Sequence, residues 1–226
     1  MGRIIRKHAS AIDVMVDAQD THNNAIARGG VWQELAEQRL GPVLAVYSAV
    51  NADHTAASQL AGQRVATRNA RNKEADGLLG RISDELWNAV GRPANDPAFA
   101  LLFPGGYGYY AGGELETQPH RMELLAKLLT ANLHPKLDPA RAQAAALEIR
   151  AAATALRDAI EAAREVVIEA ELLDRVRVAV ARTAATELAN LKRLYKSAGF
   201  SEAEIHQVIP HRPRKSPSAK PEPPQP

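Results

Sequence analysis

The chain has 226 residues, enough to bury a real core in one large or two small domains, and its 46% apolar content is carried by Ala, Leu, Val and Ile while aromatics make up only 4%. Small and unbranched side chains of that kind favour close-packed helices over sheets, so the expected class is all-α. A net charge of +2 excludes polyanion binding by bulk charge, and the absence of cysteine excludes disulfides, thiolate metal sites and cysteine nucleophiles.

Residues 1–28 carry Ile5, Ala9, Ile12, Val16 and Ile26 at helical spacing, with Gln19 and Asn23 on the same stripe. Asp13 and Asp17 interrupt the stretch, so it is not the apolar run of a signal peptide. No segment approaches the ~18 to 20 continuous apolar residues of a membrane span. The expectation is a soluble, cytoplasmic protein.

Gly29 and Gly30 end this first helix. A second, Val31 to Leu40, is expected to stop at Gly41, with Pro42 opening a third, since proline suits the first helical position. The third runs to Val90, with Val43, Val46 and Val50 striping its start and Leu78, Ile82, Leu86 and Val90 its finish. Its middle is polar, with Arg64, Arg68, Arg71 and Lys73, and is read as continuous or kinked near Asp76 and Gly77.

The connector Arg92 to Pro119 contains Phe99, Phe103, Tyr107, Tyr109 and Tyr110, half of the ten aromatic residues in the chain. Asp96 followed by Pro97 is a helix-start signature, and it opens a short turn with Phe99, Leu102 and Phe103 on one face. Pro104, Gly105 and Gly106 are expected to stop that turn, and Gly108, Gly112 and Gly113 to keep the tyrosine segment flexible or looped. A short amphipathic helix follows from about Arg121 to Leu133 and ends at His134 and Pro135.

From Pro139 to Ala198 there is neither a further proline nor any glycine, and apolar residues from Ile149 to Ala198 recur in steps of three or four. Such a helix is ~90 Å long, against a diameter of ~45 Å for a compact globule of this length. Either it bends near Arg175 to Arg182, or the molecule is a rod with Pro42 to Val90 antiparallel along it; the rod is expected. Both long segments end in an aromatic followed shortly by glycine, Trp87 to Gly91 and Tyr195 to Gly199, which hints at an internal duplication. Ser201 and Glu204 form a capping box for one more helix, and the last stretch holds half the prolines of the chain. That composition cannot offset its ordering entropy by burial, which predicts a disordered tail.

The expected architecture is therefore an elongated antiparallel helical bundle with two long helices. It divides into an N-terminal arm at 1–91, a connector at 92–120, a C-terminal arm at 121–208 and a basic, Pro-rich tail at 209–226.

No stretch carries a recognisable reaction centre. Gly106 to Ala111 matches a relaxed dinucleotide fingerprint, but an aromatic turn stands where that motif needs a strand. Glu116 and His120, like Glu202 and His206, share a helix face at four-residue spacing, one residue too far apart for a di-iron Glu-x-x-His. His54 sits on an apolar stripe and reads as a hydrogen-bonded core residue, while Glu171 and Arg175 read as a solvated helix-face pair. No catalytic residue, cofactor or metal ligand is assigned.

The functional expectation is a structural or protein-interaction protein that self-associates or binds another protein, with Phe99, Phe103, Tyr107, Tyr109 and Tyr110 as candidate interaction residues. The alternative is a nucleic-acid-associated protein. Tyr195 to Val208 has the outline of a helix-turn-helix corner, and Arg212, Arg214, Lys215 and Lys220 of the tail are candidate phosphate contacts.

Overall fold

The computed structural model describes residues 9–210. Among these the chain is helical throughout, with no strand: α1 (Ala11–Arg28), α2 (Gly30–Ala89), α3 (Pro97–Leu102), α4 (Gly108–Ala111), a 3₁₀ turn (Leu115–Thr117), α5 (Gln118–Thr130), α6 (Pro139–Ser197) and α7 (Glu202–Val208). Two helices of about sixty residues, α2 and α6, pack together as the bundle's long members. The candidate phosphate contacts Arg212, Arg214, Lys215 and Lys220 lie outside the described residues.

Capping explains where the helices begin. Ser10 accepts from the Asp13 N–H at 3.1 Å to start α1, and Asp13 itself sits at the positive end of the helix dipole. Gly29 ends α1 at φ 72°, donating its N–H to the Ala25 and Ile26 carbonyls. The Ser201 hydroxyl and the Glu204 carboxylate cap α7 reciprocally, as the sequence predicts.

The expected break at Gly41 and Pro42 does not occur: α2 runs through Pro42 unbroken. An interior proline forfeits one backbone bond and costs roughly 3 kcal/mol. Packing on both sides offsets it, because Trp32, Ala36 and Leu40 before the proline join the same cluster as Val43, Leu44 and Tyr47 after it. Gly41 precedes the proline without the Cβ that ordinarily crowds a proline ring in a helix. Neither long helix breaks elsewhere, whether at Asp76 and Gly77 or at Arg175 to Arg182.

The chain forms two compact units whose boundaries fall inside α2 and α6. Among the described residues the first comprises 9–56 and 171–210, the second 57–170. In the first, α1, the start of α2, the end of α6 and α7 enclose a core of Met15, Ala18, Trp32, Leu40, Leu188, Leu191, Tyr195 and Ile205. Its α2 and α6 segments run antiparallel, since Trp32 meets Tyr195 at 4.3 Å between ring centroids, Arg39 meets Glu187 at 3.7 Å and His54 meets Asp174 at 3.9 Å. In the second unit, α3, α4 and α5 cover the facing segments of α2 and α6. Leu79, Ile82 and Leu86 pack there with Met122, Leu125, Leu129, Ile149 and Leu156. Arg81 bridges to Glu148 on α6, and Arg157 reaches back to Glu123 on α5.

Two further boundaries differ from the sequence reading. Tyr109 and Tyr110 lie in the short helix α4 rather than in a loop, with Tyr107 at its N-cap, and α5 begins at Gln118 and ends at Thr130. Pro119 explains the earlier start, since it occupies the first turn, where its missing N–H costs nothing.

Candidate functional site

The connector between α2 and α5 belongs to the second unit and is pinned at three places. Asp96 Oδ1 accepts the Ala98 and Phe99 N–H groups at 2.9 and 3.1 Å, which caps α3. The other oxygen, Oδ2, lies 3.0 Å from His134 Nε2, and His134 is only 1% exposed. His134 Nδ1 accepts the Lys136 N–H at 3.2 Å, so the proton must sit on Nε2 and be donated to Asp96. The Phe99 N–H, and after it His134, hold the Asp96 carboxyl below the usual carboxylate range.

The second pin is Tyr110, whose hydroxyl donates to the Leu102 carbonyl at 2.7 Å and joins α4 to α3. Burial, aided by the neighbouring Tyr109, pushes its phenol up to about 12. The third is Arg121 of α5, which donates to the carbonyls of Gly112 and Glu114 and to the Thr117 hydroxyl. Together these contacts hold a glycine-rich stretch in one conformation.

The five aromatic residues divide by environment. Phe103 and Tyr110 are buried in the core, edge to face at 6.0 Å, and Phe99 stacks on Phe103 while remaining half-buried. Tyr107 and Tyr109 are about half exposed, and Leu101 on α3, which sequence inspection passed over, is 66% exposed. The Tyr107 ring packs over Gly80 of α2, with its Cε2 and Cζ 3.7 Å from where a Cβ would be, an ordinary van der Waals distance. Leu101 carried a signal after all: it lies one residue off the Phe99, Leu102 and Phe103 face on a helix capped at a known position.

The other sequence candidates are placed apart from the connector. His54 is half-buried beside Asp174 in the first unit, and Glu171 and Arg175 are exposed. Glu202 does face His206, at 3.4 Å, but the same carboxylate takes Lys192 and Lys196. Those two ammonium groups pull the Glu202 carboxyl down to about 2, and they occupy the place a metal cation would need. Among the described residues no three His, Asp or Glu side chains gather as a metal site would require, and no helix is long and apolar enough to cross a membrane. A contact invisible to spacing rules is Gln118, which donates to Asp76 at 2.8 Å and fixes the start of α5 against α2.

No family model matches the chain, and no curated protein or solved structure matches it either.

Proposed function

We propose that this chain is a non-enzymatic helical-bundle protein that works by binding other protein chains, copies of itself included. The observation that carries the reading is the exposure of Leu101, Tyr107 and Tyr109 on a connector that Asp96, Tyr110 and Arg121 hold rigid. Tyrosines with an apolar body and a polar tip, held at low entropic cost, suit a protein interface. The nucleic-acid reading finds less support. α7 begins with Glu202 and Glu204, and the nearest lysines, Lys192 and Lys196, are both engaged by the Glu202 carboxylate. A cytoplasmic setting goes with the proposal, supported by the absence of cysteine.

The test combines mass and partner binding. Light scattering over a hundredfold range of concentration should show a mass above that of one chain. The triple variant Leu101→Ser, Tyr107→Ser, Tyr109→Ser should lose proteins that co-purify with the intact chain while its helical signal melts within a few degrees of wild type. A wild type that remains one chain throughout and a triple variant that keeps every partner would together sink the reading.

A further inference from the structure

The α1 helix has two faces, and the bundle uses only one. Val14, Met15, Ala18, Thr21 and Ala25 are buried, whereas Ile12, Val16 and Ile26 are 57, 45 and 43% exposed. With Gln19 and Asn23 the exposed set reads Ile12, Val16, Gln19, Asn23, Ile26, an alternation of four- and three-residue steps that is the heptad spacing of a coiled-coil seam. Its ends are apolar and its centre is polar, and Gln19 donates to Asn23 at 3.0 Å. The pattern is partly symmetric about Gln19: turned end for end, Ile12 falls on Ile26 and Gln19 on itself, while Val16 comes opposite Asn23.

We propose that α1 pairs antiparallel with α1 of a second copy about a twofold axis near Gln19; the proposal rests on the self-association advanced above and names its surface. A stripe that maps onto itself under reversal is what a twofold interface requires. The antiparallel sense opposes the two helix dipoles and brings the first turn, with Asp13, toward the end that carries Arg28. A parallel pair would set like on like at both ends. Register is set by the ends as well as the centre, because a slip of one turn either way separates Ile12 from Ile26, and in one direction it also sets Gln19 against Val16. Beside the seam, Ile12, Val16 and Gln19 form one wall of an open groove of about 460 Å³ whose other wall includes Leu44, Tyr47 and Asn51 of α2. The flank of the second copy's α1 fills it.

The full chain contains no cysteine, which makes single-cysteine probes unambiguous. Gln19→Cys, under mild oxidation, should cross-link to itself in high yield, and Ile12→Cys should not. In sedimentation equilibrium the double variant Ile12→Glu, Val16→Glu should raise the dimer dissociation constant at least tenfold while its thermal midpoint stays near wild type, since both side chains are exposed. A wild type that is a single chain at every concentration overturns the self-association itself, and the seam with it. A dimer that survives the double glutamate variant, or that cross-links through Ile12→Cys rather than Gln19→Cys, overturns this seam and leaves self-association standing.

Discussion

The Tyr195 hydroxyl donates to the Trp32 carbonyl at 2.8 Å, at a point where neither side chain is more than 8% exposed. The bond joins the last turns of α6 to the first turn of α2, and Phe200 completes the cluster by stacking on Trp32 at 3.9 Å. Tyr195→Phe keeps the ring and removes only the hydroxyl, so it should cost about 1 kcal/mol, the usual net value of one buried hydrogen bond. Tyr195→Leu, which also surrenders the ring contacts, should cost about 3 kcal/mol. Urea unfolding followed by Trp32 fluorescence in a Trp87→Phe background measures both. A phenylalanine variant as stable as wild type would show that the hydroxyl bond contributes nothing, and equal losses for the two would show that the ring contacts add nothing to it.

Alkaline pH should expose the second tyrosine pin. The Tyr110 phenol titrates near 10 when unfolded and at about 12 when folded. Its contribution is therefore fully present below pH 10 and is lost as pH rises through about 12, because only the unfolded chain gives up the proton in between. Burial raises the Tyr195 phenol in the same direction. The urea midpoint should fall over this window, and it should fall less steeply in Tyr110→Phe. Identical slopes in variant and wild type would remove Tyr110 from the account.

Asp96 does two jobs with its two oxygens, and substitutions can separate them. Asp96→Asn keeps a good cap for α3 but loses the charged partner of His134, whereas Asp96→Ala loses both, so the alanine variant should be the less stable. His134→Ala leaves an unfilled space and an unanswered Lys136 N–H, and should cost about 2 kcal/mol. Because the folded carboxyl sits below its unfolded value, this contribution is present above the ordinary carboxylate range and lost as pH falls through the folded one. Thermal melts across that range check the sign; an alanine variant no weaker than asparagine would remove the capping role.

The parts of this fold that were legible in the sequence are those set by local rules. α6 follows from 59 residues without glycine or internal proline, and α7 from its capping box. Pro42 was misread because its local penalty is offset by packing against residues more than a hundred positions away, such as Leu188. The Asp96 to His134 and Gln118 to Asp76 contacts join residues about forty apart through loops, and no periodicity records them. In the connector, composition located the aromatic cluster, yet which ring is core and which faces water is decided by tertiary contacts such as the Tyr110 hydroxyl on the Leu102 carbonyl, which no spacing records.

Low pH should weaken the pairing between α7 and the end of α6. Lys192 and then Lys196 hold the Glu202 carboxyl at about 2, against 4.5 when free. The pairing is thus intact above pH 4.5 and fails as pH falls toward about 2. Glu202→Gln should flatten the acid dependence of Trp32 fluorescence over this interval, and high salt should do so partly, since the carboxylate is solvent-exposed. A variant that retains the full acid transition would assign it to other carboxylates.

The aromatic-then-glycine pattern shared by the two long helices has a physical meaning in their ends. After α2, Arg92 N–H donates to Trp87 O at 3.0 Å and Gly91 N–H to Asn88 O at 3.1 Å; after α6, Phe200 N–H donates to Tyr195 O at 3.1 Å and Gly199 N–H to Lys196 O at 3.0 Å. Both are Schellman endings with the glycine left-handed, at φ 90° for Gly91 and 91° for Gly199. In each, the residue after the glycine covers the aromatic: Arg92 over Trp87 at 5.9 Å, Phe200 against Tyr195 at 6.1 Å. No neighbour stands within 4 Å of where a Cβ would be at either glycine, so the cost of adding one is conformational alone. Gly91→Ala and Gly199→Ala should each destabilise by about 1 kcal/mol. Asparagine, which tolerates the left-handed region, should cost less than alanine at both sites. Chemical denaturation of the four single variants tests the pair together: alanine and asparagine equal to wild type at one site would show that this end does not depend on its glycine.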